Sequence, residues 1–175
     1  PAPGFTLEEA LTHGICEVIE RHAHLMATVT TANPGLVGGP PLQAIDLETV
    51  PRSTRRLVSK ITAAGHRVRV LDITSEVRVP TFVATILLSV APDAPFYGKD
   101  VEVPQGMATH PDPEVAINMA LLEATQTVVG NIAGGREDLT LRARSLGRHE
   151  RSASRTYASY CGLGSVDVPT KSFAD

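Results

Sequence analysis

Two short clusters of polar side chains in this sequence have the residue types and spacing to bind a hard cation. Glu17 and Glu20 are three residues apart and Arg21 follows them, and Glu123 and Gln126 repeat the three-residue spacing later in the chain. Residues three and four apart share one face of a helix, so each cluster would present its oxygen atoms side by side. Carboxylate and amide oxygens suit Mg²⁺, which takes oxygen ligands and keeps several waters.

Each cluster also has a purely structural interpretation. Glu17 and Arg21 are four residues apart, so they can form an ordinary ion pair on a solvated helix face, where such pairs contribute little. Glu123 lies in a segment that is apolar on almost every side, where an unpaired carboxylate is costly. It is therefore expected to be protonated, paired with an arginine, bound to a metal or located at a polar cavity.

The first cluster belongs to a helix predicted over residues 6–26. Thr6 and Glu9 have the spacing of a capping box, so the helix is expected to begin near Leu7. One arc of this helix is apolar and is predicted to pack on the core. Its members are Leu7, Leu11, Ile15, Val18, Ile19, Leu25 and Met26.

The second cluster belongs to a helix predicted over residues 112–129. Asp112 is a suitable N-cap, Pro113 suits the first helical position, and Glu114 places a negative charge in the first turn. From Val115 onward the segment is apolar almost all round. This helix is therefore predicted to be buried.

Between the two helices the sequence alternates loops with short regular elements. Residues 28–50 and 91–106 are rich in Gly and Pro and are predicted to form a long loop and an irregular crossing. Residues 53–64 predict a short helix ended by Gly65. Residues 67–74 and 80–90 predict two strands. These elements predict an α/β (α+β) fold in which a mixed sheet is layered with helices.

The sequence resembles the YcaO family of ATP-dependent enzymes, which activate peptide amide oxygens by phosphorylation. One family signature is S-x-x-E-x-x-E-R, and residues 14–21 match it except that Gly14 replaces the serine. Another is E-x-x-x-E-x-x-Q, and residues 119–126 match it except that Met119 stands where the first glutamate is expected. Two part-matched motifs in the right order are more specific than either alone.

The resemblance extends over about residues 5–140, because the segments 64–74 and 134–139 are also similar to the family. The family's third short motif, S-x-x-x-E, has no counterpart here, and His22 follows the first motif where members usually have aspartate. Family members are also much longer. The chain is therefore expected to be a middle section of such an enzyme or an unusually short relative.

The resemblance implies a nucleotide site formed by the two signature helices. The side chains implied to bind the cofactor are Glu17, Glu20, Arg21, Glu123, Gln126 and Arg136. Of these, Glu17, Glu20, Glu123 and Gln126 are implied to hold Mg²⁺ and, through it, the phosphates of ATP. Arg21 and Arg136 would offset negative charge, and no residue is assigned a catalytic role.

The implied activity is ATP-dependent phosphorylation of a backbone amide in a ribosomally made peptide or protein. A neighbouring Cys, Ser or Thr side chain of the substrate then forms an azoline, or an external sulfide forms a thioamide. The alternative is a catalytically inactive relative that binds a peptide or a partner subunit. The implied partners are the substrate and a companion protein that binds its leader or supplies sulfur. A homo-oligomer is also expected, because a large bare apolar stripe tends to find a partner.

The composition limits the classes of protein to which the chain can belong. The 175 residues are 42% hydrophobic, which favours a single domain over 1–175 with an irregular tail at 156–175. The net charge of −3 disfavours general nucleic-acid binding. The arginine-rich stretch at 136–155 is either a solvated helix face or a patch for a phosphate, an anionic peptide or a nucleic acid, so a nucleic-acid-binding protein stays open as a further alternative. Two cysteines are too few for a disulfide framework, and no apolar run has membrane-spanning length, so a cytoplasmic protein without membrane contact is expected.

Overall fold

The computed structural model describes residues 2–32, 42–87, 104–132 and 168–175. Within these ranges the helices are α1 (Leu7–Ala32), α2 (Arg52–Ala63) and α3 (Pro113–Ile132), and the strands are β1 (Gln43–Ile45), β2 (Arg67–Asp72), β3 (Thr81–Leu87), β4 (Gln105–Thr109) and β5 (Thr170–Lys171). The strands form one sheet in the order β4-β3-β2-β1-β5, in which only the β1–β5 pair is parallel. The predicted fold class, a mixed sheet layered with helices, is therefore confirmed.

The helices cover both faces of the sheet, because alternate strand residues point in opposite directions. Val70 and Phe82 pack in one buried cluster with α3, and side chains of α2 lie at its margin. Leu71 and Val83, their neighbours in sequence, pack in a second buried cluster with Ala23 of α1. The sheet therefore lies between α1 on one side and α2 with α3 on the other.

The predicted start of α1 is confirmed in detail. The amide of Glu9 donates to Thr6 Oγ1 at 3.2 Å, and the amides of Thr6 and Phe5 donate to Glu9 Oε2 at 3.3 and 2.8 Å. These bonds satisfy backbone N–H groups that have no partner within the helix. The end of α1 differs from the prediction, because the helix continues to Ala32 into the stretch expected to be loop.

The predicted packing face of α1 is wrong. Five members of the apolar arc are 55–70% exposed: Leu7, Leu11, Ile15, Val18 and Leu25. The buried side chains of α1 are instead Cys16, Ala23 and Ala27. Small side chains allow the helix backbone to lie close to the sheet, and they mark a packing face more weakly than leucine or isoleucine does. In the part of the chain that the structure describes, α1 thus turns most of its large apolar side chains to solvent, and only Ile19 and Met26 of the arc are partly buried.

The second signature helix begins as predicted, with the amide of Glu114 donating to Asp112 Oδ1 at 2.8 Å. It is not buried all round, however, because Met119, Leu122 and Val129 are 46–58% exposed. Its inner face packs on the sheet through a buried set that includes Ala116, Ile117, Ala120, Leu121, Ala124 and Val128. A single helix on one face of a sheet can bury only one side, whatever its composition.

The elements between the signature helices agree with the prediction except for two strands. Helix α2 is followed by Gly65, whose φ of 85° is a conformation that glycine adopts readily. Strands β2 and β3 lie within the predicted 67–74 and 80–90. Strand β1 lies in the stretch predicted to be loop, and β4 begins inside the predicted irregular crossing.

Residues 168–175, within the stretch expected to be an irregular tail, contain the two-residue strand β5 and a turn. Lys171 Nζ lies 2.8 Å from Asp72 Oδ2, and both side chains are less than one-fifth exposed. This ion pair joins β5 to β2 across the short β1. No helix among the described residues is long and apolar enough to cross a membrane.

Candidate active site at the edge of the sheet

Strand β4 lies at one end of the described sheet, so one row of its backbone groups does not pair with any other described strand. The amide of His110 donates to Pro80, and Pro104 accepts from the amide of Ile86, so the even-numbered residues of this segment face β3. The amides of the odd-numbered residues Met107 and Thr109 therefore point away from the sheet. Backbone groups in this position need partners.

The first outward amide is satisfied by the second signature helix. The amide of Met107 donates to Glu123 Oε2 at 2.9 Å. Close packing makes this bond possible, because a Cβ added to the preceding Gly106 would lie 2.2 Å from the amide nitrogen of Ala124 and 2.3 Å from the carbonyl oxygen of Ala120. Only glycine allows β4 and α3 to approach this closely. The carboxylate predicted to need a partner thus has a backbone donor.

The second outward amide is satisfied by the first signature helix. Glu20 of α1 accepts a hydrogen bond from the amide of Thr109. Its carboxyl is about half buried, and desolvation is the main reason that its pKa is raised to about 7. The negative charge of Glu123 raises this pKa further, while Arg21 and the Thr109 amide lower it. Glu20 and Glu123 therefore lie close enough to repel each other.

Glu17 and Arg21 stand beside this pair on α1. Arg21 Nη2 lies 3.7 Å from Glu17 Oε1, and the arginine side chain is 71% exposed. An ion pair this exposed contributes little to stability. The charge of Glu17 also raises the pKa of Glu20. The first cluster thus carries both the simple ion pair and a carboxyl that faces the second signature helix.

Gln126 lies next to Glu123 in a pocket of about 310 Å³ on the outer side of α3. Met107, Met119 and Leu122 form its apolar walls. Met119 occupies the position at which the family signature has a glutamate. This pocket is open to solvent and combines two oxygen-bearing side chains with apolar contact surface.

Arg136, the remaining predicted site residue, lies outside the described residues. Sequence reasoning missed Gly106, Met107 and Thr109, which position the two carboxylates through the backbone. A glycine followed by alternating residues before an N-cap at Asp112 is the one signal that could have indicated a strand there. Side-chain motifs cannot reveal a site that is built on amide groups.

The donor set fits Mg²⁺ in chemical type, since it contains only carboxylate and amide oxygens. The pKa of Glu20 is raised mainly by desolvation and further by the charge of Glu123, and a cation beside this carboxyl would favour its ionised form. Across the residues that the structure describes, no group of three or more His, Cys, Asp and Glu side chains is arranged to hold a metal ion. Glu17 would have to turn from Arg21 to join Glu20 and Glu123.

The mixed sheet layered with helices agrees with the fold class that the sequence predicted. The family model described as YcaO cyclodehydratase, ATP- and Mg²⁺-binding, matches residues 1–169. The chain belongs to the YcaO family. The expectation that ATP and Mg²⁺ are the cofactors is confirmed at the level of the family.

Two curated relatives are similar over most of this chain. An uncharacterized protein in the tfuA 3′ region of Rhizobium leguminosarum bv. trifolii is 32% identical over 164 residues, which are 87% of this chain. An uncharacterized protein of Methanothermobacter thermautotrophicus is 33% identical over 147 residues, or 84% of this chain. The chain spans about a third of the length of these relatives, since it covers 35% of each.

Solved structures share the fold. The heterocyclase TruD has 26% identity and a TM-score of 0.57, over 81% of this chain and 17% of its own. The YcaO of Methanopyrus kandleri bound with AMPPCP and Mg²⁺ has 20% identity and a TM-score of 0.58, over 98% of this chain and 39% of its own. The E. coli microcin synthetase McbBCD complex with pro-MccB17 bound has 15% identity and a TM-score of 0.59, over 98% of this chain and 40% of the matched chain.

Proposed function

We propose that this chain forms the Mg²⁺-ATP site of an enzyme that phosphorylates a backbone amide of a peptide or protein. The observation that carries the proposal is the carboxylate pair Glu20 and Glu123, which come from the two signature helices and meet beside β4. The family description, ATP- and Mg²⁺-binding, supports it. So does the Methanopyrus kandleri structure, which contains AMPPCP and Mg²⁺.

In this proposal four side chains hold the ion: Glu17, Glu20, Glu123 and Gln126. Arg21 and Arg136 offset the charge of the phosphates. When bound, Mg²⁺ neutralises phosphate charge and orients the transferred phosphoryl group. Glu20 and Glu123 each accept a hydrogen bond from a backbone amide of β4, which orients the two carboxylates beside this strand.

The substrate amide oxygen attacks the γ-phosphorus and ADP leaves. A Cys, Ser or Thr side chain of the substrate then adds to the activated amide carbon, phosphate departs, and an azoline results. The family description and the heterocyclase neighbours favour this product over a thioamide. A peptide substrate and a companion protein are proposed by analogy with the McbBCD complex with pro-MccB17 bound.

A catalytically inactive binding module is the second candidate. It is favoured by Gly14 and Met119, which depart from the two signatures. These departures also lead us to expect slow catalysis by the chain alone.

We propose that residues 1–175 form one partial domain and that the chain associates with a second copy through the exposed apolar face of α1.

Calorimetric titration of ATP, with and without Mg²⁺, tests the proposal. The parent should bind Mg²⁺-ATP, and Glu17→Ala and Glu123→Ala should each weaken binding about tenfold or more while the fold is retained. Glu48→Ala, which removes an exposed carboxylate before α2, is the control and should bind as the parent does. Equal binding by the parent and either site variant would refute the assignment, and no binding by the parent would favour the inactive module.

A further inference from the structure

The outer face of α2 is basic and has no acidic residue of its own. Arg52, Arg55, Arg56 and Lys60 are all exposed, and α2 contains neither Asp nor Glu. Arg52, Arg56 and Lys60 succeed one another at four-residue intervals, so they form a line about 12 Å long with Arg55 beside it. We call these four side chains the basic row. The opposite face packs inward through Thr54, Leu57, Val58 and Ile61.

The basic row is unfavourable for the helix that carries it. Like charges four residues apart repel each other. Arg52 and Arg55 lie in the first turn, where they oppose the positive end of the helix dipole, and only Lys60, in the last turn, is placed favourably. Pro51 precedes the helix and makes no side-chain capping bond, so the first amides add to the positive field.

No described acidic side chain forms an ion pair with the row, and the nearest carboxylate that the contacts show is that of Glu114, which accepts a hydrogen bond from Ser53 in the first turn of α2. The ion pairs among the described residues are Glu17 with Arg21, His22 with Glu76, and Asp72 with Lys171, and none includes the basic row. The chain as a whole has a net charge of −3, so the row is a local concentration of cations. Surfaces without a binding role usually mix both signs, and locally unfavourable choices without compensation occur mainly at functional positions.

The row is separate from the carboxylate pair. Helix α2 contacts the side of α3 that carries Glu114 and Asn118, through Ser53 Oγ to Glu114 Oε1 and through Thr54 Oγ1 to Asn118 Oδ1 at 2.8 Å. Glu123 leaves α3 toward β4, at the end of the sheet. The row is therefore placed to recruit a molecule without taking part in the chemistry at the sheet edge.

We propose that the basic row of α2 is a docking site for an acidic peptide segment of a partner or substrate protein. A line of about 12 Å matches three or four residues of extended peptide, and arginine forks bind carboxylates with two hydrogen bonds. A nucleic acid fits less well, because a long polyanion would extend beyond the row over a chain that is acidic overall, whereas a short peptide segment contacts the row alone. This proposal does not depend on Mg²⁺-ATP binding at the carboxylate pair.

Fluorescence anisotropy with a fluorescein-labelled peptide of alternating Glu and Ser tests the site. The parent chain should bind this peptide and not the same peptide with Gln for Glu. Arg56→Glu should weaken binding by about tenfold or more. Arg67→Glu is the matched control, because it makes the same charge change at an exposed residue of β2. Its side chain points to the other face of the sheet, since Val68 packs with α2 and α3.

Melting temperatures should show that Arg56→Glu is folded, since the substitution removes like-charge repulsion within α2. Three results would overturn the proposal. One is no binding by the parent at millimolar peptide, and another is equal weakening by Arg56→Glu and Arg67→Glu. The third is tighter binding of duplex DNA or of phosphatidylserine vesicles through the same row.

Discussion

Glu20 and Glu123 approach each other from opposite layers of the molecule, and each is fixed by an outward amide of the same strand. The amide of Met107 donates to Glu123 and the amide of Thr109, two residues further on, binds Glu20. Strand β4 thus sets the distance between two carboxylates that belong to different helices.

We expect Glu20→Gln to stabilise the metal-free protein at pH 8 and to leave its stability nearly unchanged at pH 5. The folded-state pKa of about 7 lies above the ordinary value of 4.5, so the folded state holds the proton more tightly than the unfolded state. The contribution of this bound proton to the free energy of unfolding is fully present below about pH 4.5 and is lost as the pH rises through about 7. The gain should be on the order of 1–2 kcal/mol after allowance for solvent screening.

Thermal unfolding at the two pH values, in EDTA, checks this expectation. Glu48→Gln removes an exposed carboxylate elsewhere and should shift the melting temperature little at either pH. The prediction fails if Glu20→Gln changes stability equally at pH 5 and pH 8. Addition of Mg²⁺ should stabilise the parent more at pH 8 than at pH 5, and this difference should shrink in the variant.

Gly106→Ala should destabilise the fold by about 2 kcal/mol or more, because the new Cβ would meet the backbone of α3 at 2.2–2.3 Å. The displaced β4 should also lose the bond from Met107 to Glu123, so Mg²⁺-ATP affinity should fall in the fraction that remains folded. Gly130→Ala in α3 is the matched control, since nothing lies within 4 Å of its added Cβ. That change should stabilise the helix by about 0.5–1 kcal/mol. Similar unfolding midpoints for both variants would contradict the close approach at Gly106.

The sequence was sufficient to predict the parts of the fold that depend on local signals. The capping box of Thr6 and Glu9, the N-cap Asp112 and the glycine stop after α2 all appear in the structure. Each is a short-range arrangement in which a few residues satisfy their own backbone. The family signatures likewise placed Glu20 and Glu123 on two helices.

The packing face of α1 and strand β4 could not be predicted in the same way. Periodicity locates the large apolar side chains of a helix, but α1 packs through Cys16 and Ala23 and leaves Leu11 exposed. Strand β4 contains Gly106, a residue type that is unfavourable in strands. The glycine is needed there because the backbone of α3 lies too close for any Cβ. Both misses concern close backbone approach, which depends on the tertiary neighbours and not on the local pattern.

Met119→Glu should restore an oxygen donor at the position where the family signature has glutamate. Met119 is 46% exposed and lines the pocket with Glu123 and Gln126, so a polar side chain of similar length can be accommodated. We expect tighter Mg²⁺ binding, by about tenfold, and a lower melting temperature in EDTA, because a further carboxylate is added to a repelling pair. Met119→Gln adds an oxygen donor without a negative charge, so it should tighten Mg²⁺ binding less than Met119→Glu does. An affinity below that of the parent would show that position 119 does not face the ion.

Leu11→Gln together with Val18→Gln should convert a self-associating chain to a monomer. These side chains are 55% and 70% exposed on α1, and the proposed contact with a second copy would bury them. Sedimentation velocity over a range of concentrations measures the change. Val77→Gln is the control, because Val77 is 48% exposed in a turn outside α1 and its replacement should leave the association unchanged. A parent chain that sediments as a monomer at all concentrations would refute the contact, and equal dissociation by the control would show that the association does not use this face of α1.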